Sequence, residues 1–546
     1  MNVAELMIKC LENEGVKHIF GVPGEENEDF LFAIENSPIE FVPVRHEQGG
    51  AFIANVMGRL TGKAGVCLST LGPGATNLMT GVADANLDKA PLVAITGQGG
   101  IDRIHHESHQ MIDVVQMMAP ITKWNGRISN EAVVHEMVRK AFKLAHAEKP
   151  GATHLELPED IAATDVKELF APIKPTIIYR PIPDSNRIED VAELLRNAKT
   201  PLILAGNGAI RTRASKALTM LSKECNIPVV CTFMAKGAIS DKLTTSLGVV
   251  GLGFKDYVIE AFEKADVILT IGYDVAEYSP ENWNINKDKT IIHLDFEPAE
   301  VYDSYTASIE LVGDIANGIA AIYEKIELES YSNWYDDIRN RIIESIDSYN
   351  TDDENEHFNA PNVIASMREI LPDNALVISD VGSHKMWIAR NYPTYICNGC
   401  IISNGLASMG ISLPGLIAGY LVNQKRPVVS IMGDGGALMN IQELETAVRL
   451  GVKGVIIVLN DNNYGLIEWK QEMNEGKSYG TKIGNPDFVA LAKSFGIEAA
   501  KPKNIGELKA TVTEVINEDK LILLEIPIHT EVNDELIQTL NDYYKK

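Results

Sequence analysis

Two stretches near the C-terminus decide the fold: VVSIMGDGG at residues 428–436 and GVIIVLNDNN at residues 454–463. Each is an apolar run of strand length that ends in polar residues, with Asp434 after the first and Asp461 after the second. The amphipathic segment between them, residues 440–448, predicts a helix opened by a capping box of Asn440 and Glu443. Strand, helix and strand in this order predict a βαβ unit with parallel strands. Both carboxylates then lie at the carboxyl ends of the strands, where open α/β sheets bind ligands.

The residue types at these strand ends are suited to a phosphate group and its metal ion. Carboxylate and amide oxygens are the ligands that Mg²⁺ prefers, and glycines let the backbone approach a phosphate closely. A Gly-Asp-Gly sequence by itself is more often a simple turn. Its position between two apolar strands favours the other interpretation. We therefore predict a site for a diphosphate bridged by Mg²⁺.

The same alternation of strands and helices runs through the rest of the chain. It predicts strands at 16–20, 41–44, 65–70 and 91–96, then at 201–205, 229–230, 267–271 and 290–294. A proline- and lysine-rich segment, 166–190, and a polar segment, 348–359, are typical of linkers. The predicted fold class is α/β, with three doubly wound parallel-sheet domains at residues 1–165, 190–325 and 355–546.

Composition excludes several classes of protein. The chain has 546 residues and a net charge of −26, which argues against nucleic-acid and anionic-membrane partners because both need concentrated Lys and Arg. Its N-terminus has acids and a helical period, which is not typical of a signal peptide. No apolar run approaches the roughly 18 residues of a membrane-spanning helix. We expect a cytoplasmic protein with no membrane partner.

Glu47 is the first candidate for a catalytic group. It follows the strand at 41–44 and begins a helix, and the sequence GPGATN, residues 72–77, follows the next strand. A lone Glu in the first turn of a helix is most often a solvated acid stabilised by the helix dipole. The combination of Glu47 with the glycine-rich turn favours a functional site instead.

These segments together resemble the thiamine diphosphate enzymes of the acetohydroxyacid synthase and pyruvate decarboxylase superfamily. The resemblance extends over the whole chain, in the order pyrimidine domain, middle domain, diphosphate domain. It implies thiamine diphosphate and Mg²⁺ as cofactors. It also implies a homodimer at least, with a homotetramer as the expected assembly, because in this family the pyrimidine ring binds one subunit and the diphosphate binds its neighbour.

The resemblance implies a role for each matching residue. Glu47 hydrogen-bonds N1′ of the aminopyrimidine and favours the tautomer whose N4′ removes the thiazolium C2 proton, while His109 and Gln110 face the second substrate. The cofactor-binding positions are Val22, Pro73, Asn77, Gly382, Ser383, His384, Ala407, Met409, Gly433, Gly435, Gly436, Gly465 and Leu466. Among them, Met409 is the large apolar residue under the cofactor, although by its residue type alone it reads as a methionine filling a core. The Mg²⁺ ligands are Asp434, Asp461 and the Asn463 carbonyl.

Within the superfamily, residues 270–283 and 471–473 resemble the catabolic, flavin-independent acetolactate synthases. The biosynthetic synthases carry an arginine in the segment that grips FAD, where this chain has Gly272-Tyr273-Asp274, so we expect no bound FAD. The implied reaction is a carboligation: one pyruvate is decarboxylated, and the resulting two-carbon carbanion attacks a second pyruvate to give 2-acetolactate. The biosynthetic synthases carry a tryptophan that favours 2-oxobutyrate as acceptor at the position matching Lys470, beside Trp469. With lysine there, the resemblance favours pyruvate as the acceptor.

Three alternatives remain at this point. Glu25 and the pair His105-His106 resemble features of 2-oxoacid decarboxylases, which release an aldehyde, although the histidine pair lies early relative to Glu47. A flavin-dependent oxidase of the same superfamily ranks third. A non-catalytic nucleotide-binding protein ranks last, because neither glycine-rich turn has the Gly-x-Gly-x-x-Gly order.

Overall fold

The computed structural model of the chain describes residues 1–167, 170–176, 179–251, 257–326, 330–351 and 357–535. The acidic run of the second predicted linker, 352–356, and residues 168–169 and 177–178 of the first lie outside this part of the chain. Contacts divide the chain into two compact units. Unit 1 contains Met1–Ile178, Gly405–Gln424 and Leu438–Val452, and unit 2 contains Tyr179–Asn404, Lys425–Ala437 and Lys453–Lys546.

Unit 1 is built on a six-stranded sheet with the order β2-β1-β3-β4-β6-β5, in which every neighbouring pair is parallel. Its strands are β1 (His18–Gly21), β2 (Glu40–Pro43), β3 (Gly65–Ser69), β4 (Leu92–Gln98), β5 (Trp124–Arg127) and β6 (Ala152–Pro158). Its helices are α1 (Val3–Asn13), α2 (Glu28–Glu35), α3 (Glu47–Thr61), α4 (Pro73–Leu87), α5 (Val114–Met118), α6 (Val134–His146) and α7 (Glu159–Ala163). Two later helices of the chain also belong to this unit, and they are given below with the sheet they follow.

Helices α3 and α4 pack closely because small residues face each other between them. A Cβ atom added to Gly81 of α4 would lie 2.5 Å from the Cβ of Ala51 in α3. Gly58 of α3 packs against the segment before β4, where an added Cβ would lie 2.3 Å from the Pro91 carbonyl oxygen. Helix α3 follows β2 and helix α4 follows β3, so both helices begin at the same carboxyl edge of the sheet. Their close packing therefore brings their first turns together.

Unit 2 contains two further six-stranded parallel sheets. The middle sheet has the order β12-β11-β10-β7-β8-β9. Its strands are β7 (Pro201–Ala205), β8 (Val229–Cys231), β9 (Ser246–Val249), β10 (Val267–Ile271), β11 (Thr290–Asp295) and β12 (Ile309–Val312). The accompanying helices are α8 (Ser185–Asn197), α9 (Thr212–Cys225), α10 (Tyr257–Lys264), α11 (Ile315–Ile326) and α12 (Asp336–Asp347).

The third sheet has the order β14-β13-β15-β16-β18-β17, again with parallel neighbours. Its strands are β13 (Leu376–Ser379), β14 (Cys400–Ile402), β15 (Val428–Gly433), β16 (Gly454–Asn460), β17 (Glu498–Ala500) and β18 (Leu521–Pro527). The helices of this region are α13 (Ala360–Ile370), α14 (Ser383–Asn391), α15 (Ser412–Val422), α16 (Asp434–Asn440), α17 (Glu443–Arg449), α18 (Gly465–Glu475), α19 (Phe488–Ser494) and α20 (Ile505–Glu518). Of these, α15 and α17 lie in unit 1.

The predicted α/β class with three parallel sheets is confirmed, and so is the βαβ unit formed by β15 and β16. The predicted capping box at residues 440–448 is wrong. Asn440 is the last residue of α16 and donates from Nδ2 to the Gly410 carbonyl at 2.8 Å, while α17 begins at Glu443 with no side-chain cap on Gln442. The segment contains the end of one short helix and most of another. The side chains of Asn440 and Glu443 bond to other parts of the chain instead of capping a single helix.

The last residues of the first predicted linker are also helical, since α8 begins at Ser185. The Asp184 carboxylate caps this helix by accepting from the backbone N–H groups of Asn186 and Arg187. The predicted domain boundaries stay predictions. Among the described helices, none combines the length and the hydropathy that crossing a membrane requires.

Candidate active site

In unit 1, three groups of predicted site residues follow neighbouring strands of the sheet. Val22 follows β1, Glu47 comes after β2 as the first residue of α3, and Pro73 and Asn77 follow β3 in the first turns of α4. Because β1 lies between β2 and β3, these residues share one edge of the sheet. The contacts below bring Glu47 and Asn77 together directly.

Glu47 is buried, with 8% of its surface exposed, and its carboxylate has a defined partner. The Asn77 side chain donates from Nδ2 to Glu47 Oε2 at 2.9 Å. Gly74 lies on the other side, where an added Cβ would be 3.3 Å from Glu47 Oε1. The structure thus places an acid at a helix start in a largely enclosed setting. Burial leaves this carboxylate poised to exchange a hydrogen bond with a ligand atom.

Gly72 lies where a loop from beyond β4 meets the start of α4. It has a φ of 52°, and an added Cβ would lie 2.7 Å from the carbonyl oxygen and 2.8 Å from the Cβ of Gln110. Only glycine tolerates this combination of positive φ and close approach. Gln110 itself has a φ of 58° and, like His109, is exposed. The substrate-facing roles of His109 and Gln110 stay predictions.

Ala407 and Met409 belong to unit 1, on the segment between Gly405 and Gly410. Two acids hold this segment: Asp88, directly after α4, accepts through Oδ1 from the Gly405 N–H at 2.6 Å, and Asp84 of α4 accepts through Oδ1 from the Ser408 N–H at 3.4 Å. Met409 is half-buried and is not part of the fully buried core. This setting separates it from an ordinary core methionine, although its place under a cofactor stays a prediction.

In unit 2, the predicted diphosphate residues lie at the carboxyl ends of three adjacent strands, β13, β15 and β16. Gly382, Ser383 and His384 follow β13 at the start of α14, Gly433 to Gly436 span the end of β15 and the start of α16, and Gly465 and Leu466 begin α18. Backbone N–H groups at the first turns of helices bind phosphate well, because they have no partner inside the helix.

Close approaches at the ends of these three strands leave no room for side chains at two glycines. An added Cβ on Gly436 would lie 2.6 Å from Asp380 Oδ1, and one on Gly465 would lie 2.6 Å from Asp461 Oδ2 and 4.0 Å from Ser383 Oγ. Ser383, Asp461 and the start of α18 therefore lie close together. Glycine here lets backbone amides and polar side chains converge on one point.

The donor set fits Mg²⁺ and a diphosphate. Burial and then the nearby charge of Asp434 raise the pKa of Asp461 to about 7, so two acids face each other at a site that a divalent cation would relieve. Asn463 Oδ1 is buried with no hydrogen-bond partner among the described residues, while its Nδ2 donates to the Glu468 carboxylate. Among the described residues, no group of three or more His, Cys, Asp or Glu could hold a metal ion. Two carboxylates with amide and carbonyl oxygens are therefore the available ligands.

His384 adds a second buried polar atom without a partner. Its Nε2 has no hydrogen-bond partner in the described part of the chain, and burial lowers the pKa of the imidazole to about 4. The ring is therefore neutral near pH 7. Gly382 and Gly433 both lie beside it, with added Cβ atoms 2.8 Å and 3.5 Å from the ring. A neutral imidazole in this cradle can hydrogen-bond a ligand without adding charge.

Two further polar residues lie close to the ends of these strands and were not predicted from the sequence. Asn485 donates from Nδ2 to Asp434 Oδ2 at 2.6 Å and to Asn460 Oδ1 at 3.0 Å, and so orients the acid that begins α16. No sequence pattern singles out this asparagine. Asp380 directly follows β13 and accepts from the Val381 N–H at 2.8 Å. An acid directly after an apolar strand, as at Asp434, was the signal that could have identified it.

The carboxyl end of the middle sheet carries an internal carboxylate. Chain order reverses between β10 and β7, which is where open α/β sheets bind nucleotides. The Glu277 carboxylate lies there and accepts from the Asn207 N–H at 2.9 Å, the Asp274 N–H at 3.1 Å and the Thr232 hydroxyl. Burial is the main cause that raises the pKa of Glu277. The three donors at this edge of the sheet therefore already have an acceptor within the protein.

The decarboxylase-like histidines lie together on the same loop as His109. The ring centroids of His105 and His106 are 3.8 Å apart, and both residues are exposed, as is Glu25. None of the three has a described contact with Glu47. The structure therefore adds no support to a role for them in the chemistry of the buried acid.

Comparison with known protein families gives three matches in the predicted order. The N-terminal TPP binding domain of thiamine pyrophosphate enzymes matches residues 1–117, their central domain matches 188–322, and their C-terminal TPP binding domain matches 380–526. Thiamine pyrophosphate is the same compound as thiamine diphosphate. The matches include Glu47 and Asn77 in the first domain, and Asp434 and Asp461 in the last.

Several characterised proteins are similar over nearly the whole chain. The acetolactate synthase of Bacillus subtilis (strain 168) is 34% identical over 98% of this chain and 94% of its own length. The catabolic acetolactate synthase of Raoultella terrigena is 32% identical over 98% of this chain and 97% of its own. The acetolactate synthase isozyme 1 large subunit of Escherichia coli (strain K12) is 30% identical over 97% and 94%. With these relatives and the three domain matches in order, the chain belongs to the thiamine pyrophosphate enzyme family.

Proposed function

We propose that this protein is an acetolactate synthase that takes pyruvate as both donor and acceptor. The observation that carries the proposal is the buried Glu47 carboxylate, held by Asn77 in a chain similar to acetolactate synthases over nearly its whole length. A carboxylate that is fixed in orientation and shielded from water is suited to hydrogen-bond a ring nitrogen and to hold a proton there.

Bound thiamine diphosphate supplies the carbanion chemistry and the electron sink, and the protein orients it and tunes its charge. Glu47 holds a proton at the ring nitrogen N1′. Asn77 fixes the direction of the Glu47 carboxylate, and the packing of α3 on α4 keeps water away from it. His109 and Gln110 lie on the loop after β4, and we assign them to the second substrate, where a hydrogen-bond donor steadies a developing negative charge.

The diphosphate end is assigned to the helix starts at Ser383, Asp434 and Gly465. Asp434, Asp461 and the Asn463 carbonyl would hold Mg²⁺ there, and their oxygen chemistry and the raised pKa of Asp461 support this assignment. The backbone N–H groups of Gly435 and Gly436 and the His384 ring complete the cradle. The cation neutralises two carboxylates that would otherwise repel both each other and the diphosphate.

The proposed assembly is a homodimer at least, with a homotetramer as the expected form. In it, each cofactor takes its pyrimidine contacts from one subunit and its diphosphate contacts from the neighbouring subunit. The cytoplasmic location stays a prediction. We propose that no flavin binds, since the Glu277 carboxylate already accepts from the Asn207 N–H, which follows β7. A purified protein with absorbance near 450 nm would contradict this part of the proposal.

The test is to identify the product. Purified protein is incubated with pyruvate, thiamine diphosphate and Mg²⁺, and the products are identified by proton NMR. We expect 2-acetolactate together with one CO₂ for each two pyruvates consumed. Acetaldehyde with one CO₂ for each pyruvate would instead support the decarboxylase alternative. Hydrogen peroxide formed with consumption of O₂ would support the oxidase.

A further inference from the structure

Glu443 is a buried acid that the mechanism above does not use. It begins α17, in unit 1, and none of its surface is exposed. Its Oε1 atom accepts from the backbone N–H groups of Arg45 and His46, each at 3.1 Å. Its Oε2 atom accepts from the Thr446 hydroxyl at 2.6 Å. Burial is the largest cause that raises the pKa of this carboxyl.

The two amides bound by Glu443 belong to the two residues immediately before Glu47. They lie on the short connection between β2 and α3, where neither sheet nor helix supplies their partners. The start of the connection is anchored by the Val44 N–H, which donates to the Gly21 carbonyl at 2.9 Å. At the end of the connection, the His46 side chain accepts a hydrogen bond from the Gln48 N–H. Glu443 is the acceptor that the structure provides for the amides in between.

The chain is built to admit this carboxylate. An added Cβ on Gly49 would lie 2.6 Å from Glu443 Oε1, so glycine at this position leaves the space that the acid fills. At the other end of α17, the Arg449 guanidinium donates to the Pro43 carbonyl at the end of β2. The two ends of α17 therefore contact the end of β2 and the two residues that lead into Glu47.

We propose that Glu443 is a positioning residue for Glu47. By holding the Arg45 and His46 amides, it fixes where α3 begins and therefore the direction of the Glu47 side chain toward Asn77 and the pyrimidine ring. This inference rests on the proposed use of thiamine diphosphate, but not on the identity of the product. A small displacement of a group that transfers a proton is costly, and about 1 Å can lower a rate by about a hundredfold.

The test compares two side chains of the same length at position 443. Gln accepts both amides through its Oε1, with the Thr446 hydroxyl turned to accept from Nε2, whereas Met has no acceptor. The readout is the rate at which the C2 proton of bound thiamine diphosphate exchanges with D₂O, measured by quenched-flow NMR. Cofactor affinity and the melting temperature are measured in parallel. Val448→Ala, an exposed change on the same helix, serves as the control.

We expect Glu443→Met to slow C2 exchange by about ten- to a hundredfold while still binding the cofactor. Glu443→Gln should restore exchange to within about threefold of wild type, and Val448→Ala should match wild type. Exchange at the wild-type rate in Glu443→Met, with cofactor bound, would overturn the proposal. So would equal slowing in the Gln and Met variants. If Glu443→Met does not fold, the Gln variant decides alone: slowing of tenfold or more overturns the proposal, and near-wild-type exchange supports it.

The same experiment separates failure of this proposal from failure of the proposed function. If wild-type protein exchanges the C2 proton no faster than free cofactor does, the function itself is wrong. If wild-type exchange is fast but no acetolactate forms, the product assignment is wrong and the comparison of the variants still stands.

Discussion

At the scale of single residues, the site depends on polar groups that are buried together with their partners. Glu47 and Asn77 form one such pair, and the Asp434 carboxylate is held by Asn485. Their residue types and their positions after strands could be recognised in the sequence. Their partners could not all be found in this way, because a hydrogen bond between segments far apart in the chain leaves no local pattern.

Replacing Glu47 by Gln tests the proton-holding role directly. The amide keeps the size of the side chain and its contact with Asn77, but it cannot take up a proton from the ring. We expect the rate of acetolactate formation to fall by about a hundredfold or more, with an unchanged circular dichroism spectrum. Glu40→Gln, an exposed acid on β2, is the matched control. Activity within a few-fold of wild type in Glu47→Gln would contradict the role.

Replacing Asp434 by Ala tests the metal site. Loss of one carboxylate removes a hard oxygen ligand, so Mg²⁺-dependent binding of thiamine diphosphate should weaken by about tenfold or more. Isothermal titration of the variant with cofactor, at several Mg²⁺ concentrations, measures this. Asp373→Ala, which removes an exposed partner of Lys242, should bind as wild type does. An unchanged affinity in Asp434→Ala would remove it from the metal site.

At the scale of elements, the packing of α3 on α4 brings Glu47 and Asn77 together. Gly81→Ala places a Cβ 2.5 Å from that of Ala51, so the helices must separate. We expect overpacking to cost about 1–3 kcal/mol, seen as a lower melting temperature, together with lower activity. Thr80→Ala, an exposed change on the same helix, should alter neither. A Gly81→Ala variant with wild-type stability would show that the interface can adjust.

Strand β6 carries a histidine that makes stability depend on pH. His154 is fully buried, and burial lowers its pKa to about 3. The unfolded chain binds a proton near pH 6.5, whereas the folded chain does not until about pH 3. Stability from this group is therefore complete above pH 6.5 and is lost as the pH falls toward 3, at about 1.4 kcal/mol per pH unit.

The His154→Gln variant checks this dependence, since it keeps a polar side chain next to the Thr96 hydroxyl but does not titrate. Urea unfolding followed between pH 7 and pH 4 should show a shallower loss of stability in the variant. His146 and His384, whose pKa values burial also lowers to about 4, keep part of the slope in both proteins. Parallel curves for the variant and the wild type would contradict the assignment.

At the scale of the whole molecule, the proposed sharing of each cofactor between subunits makes a quantitative prediction. We expect Glu47→Gln subunits to be nearly inactive alone, and Asp434→Ala subunits to be nearly inactive when the cofactor is kept well below the Kd of that variant. When they are mixed and allowed to exchange, half of the dimers are mixed, and each mixed dimer has one intact site. Activity should therefore return to about a quarter of wild type. No recovery, with subunit exchange verified by mass spectrometry, would mean that each site is built within one subunit.

The α/β class, the parallel sheets and the residues at their carboxyl ends can all be predicted from the amino-acid sequence alone. Apolar runs of strand length alternate with helical periods, and such patterns report what each segment buries. Glu47, Asp434 and Asp461 are identifiable because each lies within a few residues of the end of such a run. The acids that follow strands and the glycines beside them are local features, and local features can be read without knowing the fold.

Which distant segments contact each other can be seen only in the folded structure. Residues 440–448 have the pattern of a single capped helix, yet Asn440 bonds to Gly410 and Glu443 bonds to the amides before Glu47. Glu443 and His46 are 397 residues apart in sequence. The amphipathic period of a segment shows that it has a buried face, but not which segment covers that face. That choice depends on packing among elements, where close approach at Gly49 and burial of a carboxylate are settled together.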